Sequence, residues 1–133
     1  MNKKHLLTAL LVLLVLGAGG YYLFQNNSAS EPKFFPASEV SPNDTVITIT
    51  DTSVEPAEIT IKIDQKVTFV NNSLDFAWPA SNPHPTHTDY PEFDPREPLD
   101  VNEAWTFTFT KVGEWKYHDH LKPSRRGIIK VTE

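Results

Sequence analysis

The sequence predicts an all-β domain, and three observations support this fold class. From Thr45 onward, apolar side chains alternate with polar ones, which is the period-2 pattern of half-buried strands. Nothing between residues 45 and 133 has a helical period. Turn-forming residues separate the alternating segments at short intervals, as they do in sandwiches and barrels. We therefore expect a two-sheet, antiparallel Greek-key β-sandwich.

A basic N-terminus and a long apolar segment precede this domain. Lys3 and Lys4 come before residues 6–24, which carry no charge. About 19 residues at a rise of about 1.5 Å just cross a hydrocarbon core of about 30 Å, whereas signal-peptide apolar regions are shorter, roughly 7–15 residues. The length favours a single-pass membrane anchor; the alternative is a signal segment cleaved after residues 28–30. The positive-inside rule places the rest of the chain outside the cytoplasm, membrane-bound or, after cleavage, secreted or periplasmic.

The chain is expected to have three parts: residues 1–25 as anchor or signal segment, 26–42 as a linker, and 43–133 as the sandwich domain. The linker is polar, with proline and serine. The chain after residue 30 contains 10 of the 12 basic residues, all except Lys3 and Lys4, and all 17 acidic residues, which gives a net charge of −7. No basic stripe exists, so we expect no nucleic-acid partner. The absence of cysteine excludes disulfides, thiol nucleophiles and thiolate metal sites.

The alternating segments predict the strands in order. Their apolar positions are Val46–Ile49, then Ile59, Ile61 and Ile63, a turn at Asp64 and Gln65, Val67 and Phe69, then Trp105, Phe107 and Phe109, Trp115 and Tyr117, and finally Ile128, Ile129 and Val131. The side chains expected between the two sheets are those of Ile61, Phe69, Phe107, Trp115 and Tyr117. Residues 72–103 break the pattern and contain six prolines. Connections of that length are uncommon in compact domains and are often functional.

Four of the five histidines form two close pairs. His84 and His87 lie in the long proline-rich segment, while His118 and His120 lie on a predicted strand. Residues two apart on a strand point to the same side, so His118 and His120 can converge. Since Trp115 and Tyr117 have the opposite phase, the histidines should face away from the core. Imidazole is the commonest ligand for copper and zinc, so the loop is predicted to fold back and bring all four histidines together near one end of the sandwich.

Several acidic residues lie near these histidines in the sequence. Asp89, Glu92 and Asp94 follow the first pair, and Asp119 lies between the members of the second. Such carboxylates could accept a hydrogen bond from an imidazole N–H or bind a metal directly. Simple solvation of the carboxylates is the alternative.

Residues 43–133 resemble a cupredoxin domain. The resemblance lies in residues 54–72 (VEPAEITIKIDQKVTFVNN) and in residues 99–109, 113–117 (GEWKY) and 127–131 (GIIKV), which are similar to the last three strands of plastocyanin-like proteins. Cupredoxins bind type 1 copper through His, Cys, His and usually Met. At the matching positions this chain has a residue near Trp78, then Asp119, Lys122 and Arg125. Because blue copper requires a thiolate, type 1 electron transfer is excluded.

The segment Trp115–His120 (WKYHDH) resembles the Tyr-His-x-His strand of multicopper oxidases. In those enzymes the histidines bind type 2 and type 3 copper between two cupredoxin domains. This chain has four candidate histidines, so a full cluster of that kind would need a second subunit, which leaves a homo-oligomer open.

Three functions are compatible with the sequence. The leading interpretation is an exported module that binds, buffers or delivers copper through His84, His87, His118 and His120, with zinc as the alternative metal. The second is a copper oxidoreductase with its site at an oligomer interface, although no route for electrons is evident. The third is a degenerate cupredoxin that serves as a binding or structural module. Copper titration followed by turnover assays separates the first two functions, and absence of tight metal binding favours the third.

Overall fold

A computed structural model describes residues 33–133 of the chain. The predicted anchor or signal segment, residues 1–25, and residues 26–32 of the predicted linker lie outside the described residues. Within residues 33–133, no helix is long and apolar enough to cross a membrane.

The described residues form a two-sheet β-sandwich without an α-helix, as the alternation predicts. A single 3-10 turn covers Ala37–Glu39. The first sheet has the strand order β1-β7-β5-β2-β3 and the second has the order β4-β9-β8-β6. The strands are β1 Phe35–Pro36, β2 Val46–Ile49, β3 Val54–Glu55, β4 Glu58–Lys62, β5 Lys66–Asn71, β6 Pro79–Ser81, β7 Glu103–Thr108, β8 Gly113–Asp119 and β9 Arg126–Thr132.

Two strand pairs are parallel, so the expectation of purely antiparallel sheets is wrong. Strand β2 pairs in parallel with β5, and β4 pairs in parallel with β9. After β2 and β3 in the first sheet, the chain crosses to the second sheet for β4 and returns for β5. Strand β5 therefore runs in the same direction as β2 where the chain re-enters the first sheet. Alternation within one strand carries no information about this crossing.

The edge of the first sheet begins inside the segment predicted as a linker. Phe35 pairs with Ala104 across β1 and β7. Just beyond, the N–H of Ala37 donates to the carbonyl of Asn102 at 2.7 Å. Residues 35–37 are thus held to the sandwich by backbone hydrogen bonds.

Aromatic side chains fill the space between the sheets. Of the five residues predicted there, Ile61, Phe69 and Tyr117 are buried, while Phe107 and Trp115 are partly buried against the same core. Two buried aromatic residues come from the loop between β6 and β7 and were not predicted from alternation. The Phe93 ring lies 5.4 Å from that of Phe69, and the Tyr90 ring lies 4.8 Å from that of Trp115. The loop is therefore part of the core, which fixes its path across the end of the sandwich.

Gly127 leaves room for the Tyr117 side chain against β9. A Cβ atom at position 127 would lie 2.5 Å from the Tyr117 hydroxyl and 2.7 Å from the carbonyl oxygen of Ala57. We expect Gly127→Ala to lower the free energy of unfolding by about 1–3 kcal/mol, because overpacking forces neighbouring groups to move. Urea denaturation of the metal-free domain measures this loss. Adding Tyr117→Phe should recover part of it, and wild-type stability of Gly127→Ala would contradict the steric explanation.

Candidate metal centre

The strand histidines lie where the pairing of β6 with β8 reaches the end of the second sheet. Ala80 pairs with His118 in this ladder. One step beyond β8, the N–H of His120 donates to the carbonyl of Trp78 at 2.7 Å. The extended backbone therefore continues through His120, which places His118 and His120 on one side of the strand. This is the arrangement that the His-x-His spacing predicts.

The loop histidines are placed by a tight turn directly after β6. The Pro83 carbonyl accepts hydrogen bonds from the N–H groups of Thr86, at 3.0 Å, and His87, at 2.8 Å. His87 has a φ of 54°, in the left-handed region, which reverses the chain direction. The Ser81 hydroxyl then ties the loop back, because it lies 3.0 Å from the carbonyl oxygens of both His87 and Tyr90. These contacts hold the turn against His118 and His120.

The four histidines converge on one point. His84 Nδ1 lies 3.2 Å from His118 Nε2, and His120 Nδ1 lies 3.0 Å from His87 Nε2. One ring nitrogen from each of the four residues lies within 4.8 Å of the other three. The structure thus brings together all four candidate ligands, two from a strand end and two from the long loop.

The spacing of these nitrogens fits a single metal ion. A four-coordinate ion with metal–nitrogen distances of about 2.0–2.1 Å separates neighbouring ligand nitrogens by roughly 3.3 Å. The two short contacts, 3.0 and 3.2 Å, are close to that value. Side-chain shifts of less than about 1 Å would therefore complete the coordination.

The cluster has a buried side and an exposed side. His87 is 4% and His118 3% exposed, whereas His84 is exposed and His120 is half-buried. The expectation that His118 faces away from the core holds, but its ring is covered by the folded-back loop. The site thus lies at one end of the sandwich, with a buried floor and a ligand pair open to solvent.

Each buried imidazole donates its outer N–H to a fixed acceptor. His118 Nδ1 lies 2.8 Å from Asn82 Oδ1, and His87 Nδ1 lies 2.7 Å from Asp94 Oδ2. Amide and carboxylate oxygens can only accept, so both histidines carry their proton on Nδ1. This tautomer leaves the Nε2 lone pairs of His118 and His87 directed into the cluster, which is the state that a metal ligand requires.

The exposed imidazoles present the other nitrogen, Nδ1, to the cluster. Without a metal, the Nδ1–H groups of His84 and His120 can donate to the Nε2 atoms of His118 and His87. A metal ion would displace both hydrogen bonds. Each exposed ring would then carry its proton on Nε2, so the change of tautomer falls on the two rings nearest to solvent.

Of the four carboxylates considered from the sequence, one contacts a histidine. Asp94 accepts from His87 and also from the indole N–H of Trp78, at 2.8 Å. Asp89 is exposed, and Glu92 forms an ion pair with Lys111. The Asp119 carboxylate points the other way, where it accepts from the N–H groups of Trp78, at 3.0 Å, and Leu121, at 2.9 Å.

Two residues of the site were missed from the sequence. Asn82 orients His118, and the Trp78 ring lies 4.8 Å from that of His120. Asn82 follows β6 directly, but that strand has only three residues and its alternation is too short to detect. The length of residues 72–103 indicated a functional segment without distinguishing its asparagine or tryptophan.

Burial keeps the floor of the site neutral. Desolvation, together with the neighbouring imidazoles of His87, His84 and His120, lowers the pKa of His118 to about 4. Desolvation, together with electrostatic repulsion from the imidazoles of His87 and His84, also lowers the pKa of His120. Burial alone would raise the pKa of Asp94, but hydrogen bonds from His87, Trp78 and the Arg96 N–H outweigh it and lower that pKa. A neutral imidazole beside an ionised carboxylate favours binding of a cation.

These shifts predict acid sensitivity of the metal-free domain. In the unfolded chain His118 has an ordinary pKa of about 6.5, so acid protonates the unfolded state first. The contribution of the neutral ring to stability is complete above pH 6.5 and is lost as the pH falls toward about 4, at most about 3 kcal/mol. Urea denaturation across this range measures the loss. His118→Gln should flatten the profile, and parallel profiles for the two proteins would refute this assignment.

Asp94 provides a test of imidazole orientation. We expect Asp94→Asn to weaken metal binding about 10–100-fold, because loss of a partner that orients a ligand has effects of this size. Competition titration against a chromogenic chelator measures the affinity. Glu92→Gln removes a carboxylate from the same loop that pairs with Lys111 instead, so it should leave the affinity unchanged. Equal effects of the two substitutions would show that only net charge matters.

The positions that match the type 1 copper ligands hold no metal-binding set. Asp119 and Arg125 form a fully buried ion pair, with Arg125 Nε 3.3 Å from Asp119 Oδ2. Lys122 pairs with Asp75 at the surface. Position 119 at the end of β8 faces inward and is therefore occupied by the aspartate of this ion pair. The flanking positions, 118 and 120, carry two members of the four-histidine cluster.

The sequence matches no protein-family model and no curated protein. Solved structures of amicyanin variants are similar in fold. A copper(I) form is 21% identical, with a TM-score of 0.64 over 77% of this chain and 95% of that chain. An oxidised form is 21% identical, with a TM-score of 0.65 over the same shares. A reduced form is 22% identical, with a TM-score of 0.63 over 74% of this chain and 91% of that chain. The cupredoxin-like fold expected from the sequence is thereby confirmed.

Proposed function

From this cupredoxin-like fold and its four convergent histidines, we propose that the protein is an extracytoplasmic copper-binding module that holds or delivers one copper ion per chain. The observation that carries the proposal is the convergence of four imidazole nitrogens within 4.8 Å. Two of them are already held in the ligating tautomer by Asn82 and Asp94. Imidazoles of this kind bind copper and zinc, and copper(II) stands highest in the affinity order of the divalent ions.

The arrangement favours binding over catalysis. Four imidazoles complete a four-coordinate set, whereas catalytic metal sites usually keep a position open for water or substrate. One chain supplies all four ligands, so a mononuclear site needs no second subunit. No thiolate is present in the sequence, so the copper would lack the ligand that type 1 electron transfer uses. Copper is the proposed metal because the structural neighbours include a copper(I) protein, with zinc as the alternative.

The proposed location rests on the N-terminal sequence. Residues 6–24 are uncharged and follow Lys3 and Lys4, a pattern typical of a single membrane anchor with its C-terminal side outside the cytoplasm. Residues 26–34 would then tether the copper site to the extracytoplasmic surface of the cell membrane. Membrane fractionation, together with protease treatment of spheroplasts that carry a C-terminal tag, tests this placement. A tag that stays protected until the spheroplasts are lysed would overturn it.

Metal content of the full chain, purified from its native compartment, tests the proposed function. We expect about one equivalent of copper by mass spectrometry of the metals, with zinc below copper. Titration of chelator-treated protein with copper(I), copper(II) and zinc should then show saturation at one equivalent for the preferred ion. Protein that retains no metal, and binds copper no more tightly than free histidine does, would overturn the proposal.

A further inference from the structure

A groove on the outer face of the second sheet adjoins the histidine cluster. A cavity of about 560 Å³ is lined by residues of β4, β8 and β9. A smaller cavity of about 250 Å³, which includes His84 and His118 in its wall, adjoins it. Asn82 and Arg126 line both cavities. The two together form one groove that runs from the middle of the sheet to the edge of the metal centre.

Unpaired positive charge is concentrated in this groove. The described residues include ten lysines and arginines. Seven of them have an ionic or hydrogen-bonded partner for the charged group: Lys33, Lys62, Arg96, Lys111, Lys122, Arg125 and Lys130. The remaining three, Lys66, Lys116 and Arg126, have no such partner among residues 33–133. Lys116 and Arg126 both line the groove, although the domain as a whole is acidic.

The strand register places these two cations within reach of one ligand. Lys116 pairs with Ile128, and His118 pairs with Arg126. Lys116 and Arg126 are therefore diagonal neighbours on the same face, about 7–8 Å apart at the backbone. Arg126 lies directly across the strand pair from His118. A ligand held by Arg126 would consequently contact the side of the metal centre formed by His118 and Asn82.

The groove also contains a free amide donor and a shielded carboxylate. Asn82 Oδ1 accepts from His118, which leaves the Asn82 NH₂ group available to a ligand. Glu58 also lines the cavity, but Lys130 pairs with its carboxylate. The groups that face a ligand are thus one guanidinium, one ammonium and one amide NH₂. A guanidinium donates two parallel hydrogen bonds to a carboxylate, and the amide and ammonium can bind further carboxylate oxygens.

We propose that this groove is a binding site for a small organic carboxylate, which lies between Arg126, Lys116 and Asn82 beside the histidine cluster. The two cations, about 7–8 Å apart at the backbone, suit a ligand of a few carbon atoms with more than one carboxylate group. The site does not require a metal, because none of its three donors belongs to the four-histidine set. The inference is therefore independent of the copper function proposed above.

Malonate binding to metal-free full-length protein tests the proposal. Isothermal titration calorimetry should show saturable binding at one site per chain. Arg126→Gln should weaken it about 10–100-fold, because a charge-assisted bidentate contact is lost, and Lys116→Gln should weaken it less. Lys66→Gln is the matched control, since Lys66 is also unpaired but lies on β5 in the other sheet. Backbone NMR shifts of Asn82, Lys116 and Arg126 on titration locate the ligand.

Three results would overturn the inference. The first is malonate binding that does not saturate. The second is a loss of affinity in Lys66→Gln equal to that in Arg126→Gln, which would show general attraction to surface charge. The third is tighter binding of inorganic phosphate than of malonate, which would refute the carboxylate assignment. Unfolding midpoints of the variants confirm that each substitution leaves the fold intact. Since no metal is present, none of these outcomes bears on the copper proposal.

Discussion

His118→Ala is expected to weaken copper binding by more than about 100-fold. Loss of a residue that merely orients a ligand weakens metal binding about 10–100-fold, and this substitution removes the ligand itself. His118 is 3% exposed and is held by Asn82, so water cannot replace its nitrogen in the same position without opening the loop. His87→Ala should have an equal effect because Asp94 holds His87 in the same way.

The exposed pair should behave differently. His84 is exposed and His120 is half-buried, so a water molecule can enter when either ring is removed. We expect His84→Ala and His120→Ala to weaken binding less than His118→Ala does. Chelator competition with copper(I) and copper(II) measures all four affinities, and Thr88→Ala, an exposed change on the same loop, is the control. Unchanged affinity in all four histidine variants would refute the site. Losses in all four, without the expected order, would refute only the distinction between its two sides.

Asp119→Asn is expected to lower the free energy of unfolding by about 3–5 kcal/mol, the usual loss when one partner of a buried ion pair is removed. The side chains of Asp119 and Arg125 are both 0% exposed. Among residues 33–133, the Arg125 guanidinium donates one hydrogen bond, from Nη1 to the Thr50 carbonyl at 2.9 Å, and its contact with Asp119 is an ion pair. Asparagine keeps the Oδ1 acceptor for the N–H groups of Trp78 and Leu121. The substitution therefore removes the charge alone and leaves the guanidinium without a counter-ion.

A double variant separates the charge effect from general disruption. Asp119→Asn with Arg125→Met removes both charges and keeps a long side chain in the core, so it should recover most of the lost stability. Glu58→Gln removes one partner of the exposed Glu58–Lys130 pair and should have a much smaller effect, because surface ion pairs contribute little. Urea denaturation of metal-free protein measures all three. A double variant as unstable as Asp119→Asn would show that the ion pair is not the cause.

The ion pair and the histidine cluster lie on opposite sides of the same strand end. Asp119 faces inward, where the type 1 cysteine is expected from the cupredoxin resemblance, and it meets Arg125 there. His118 and His120 flank it on the other side, where the loop histidines meet them. Adjacent residues of one strand thus belong to a buried ion pair on its inner side and to the candidate metal centre on its outer side. For this reason Asp119→Asn should lower the free energy of unfolding but leave the arrangement of the four imidazoles unchanged.

The sequence alone determined the features that depend on local periodicity. Alternation predicted the strands around Ile61, Phe69 and Tyr117, since side chains on a strand point alternately to its two faces. The same rule placed His118 and His120 on one side. The absence of cysteine excluded a thiolate site without any structure. The cupredoxin-like fold was expected from a resemblance of residues 54–72, 99–109, 113–117 and 127–131 to that family, and not from the alternation itself.

The tertiary structure decided everything that depends on contacts between distant segments. It selected Asp94 over Asp89 and Glu92 as the partner of His87, because the loop path depends on Tyr90 and Phe93 packing into the core. It also identified Asn82 as the acceptor for His118, 36 residues away. The parallel pairs likewise arise where the chain crosses between the two sheets. Such contacts follow from how the two sheets pack, and the alternation within a single strand is the same whichever partner it meets.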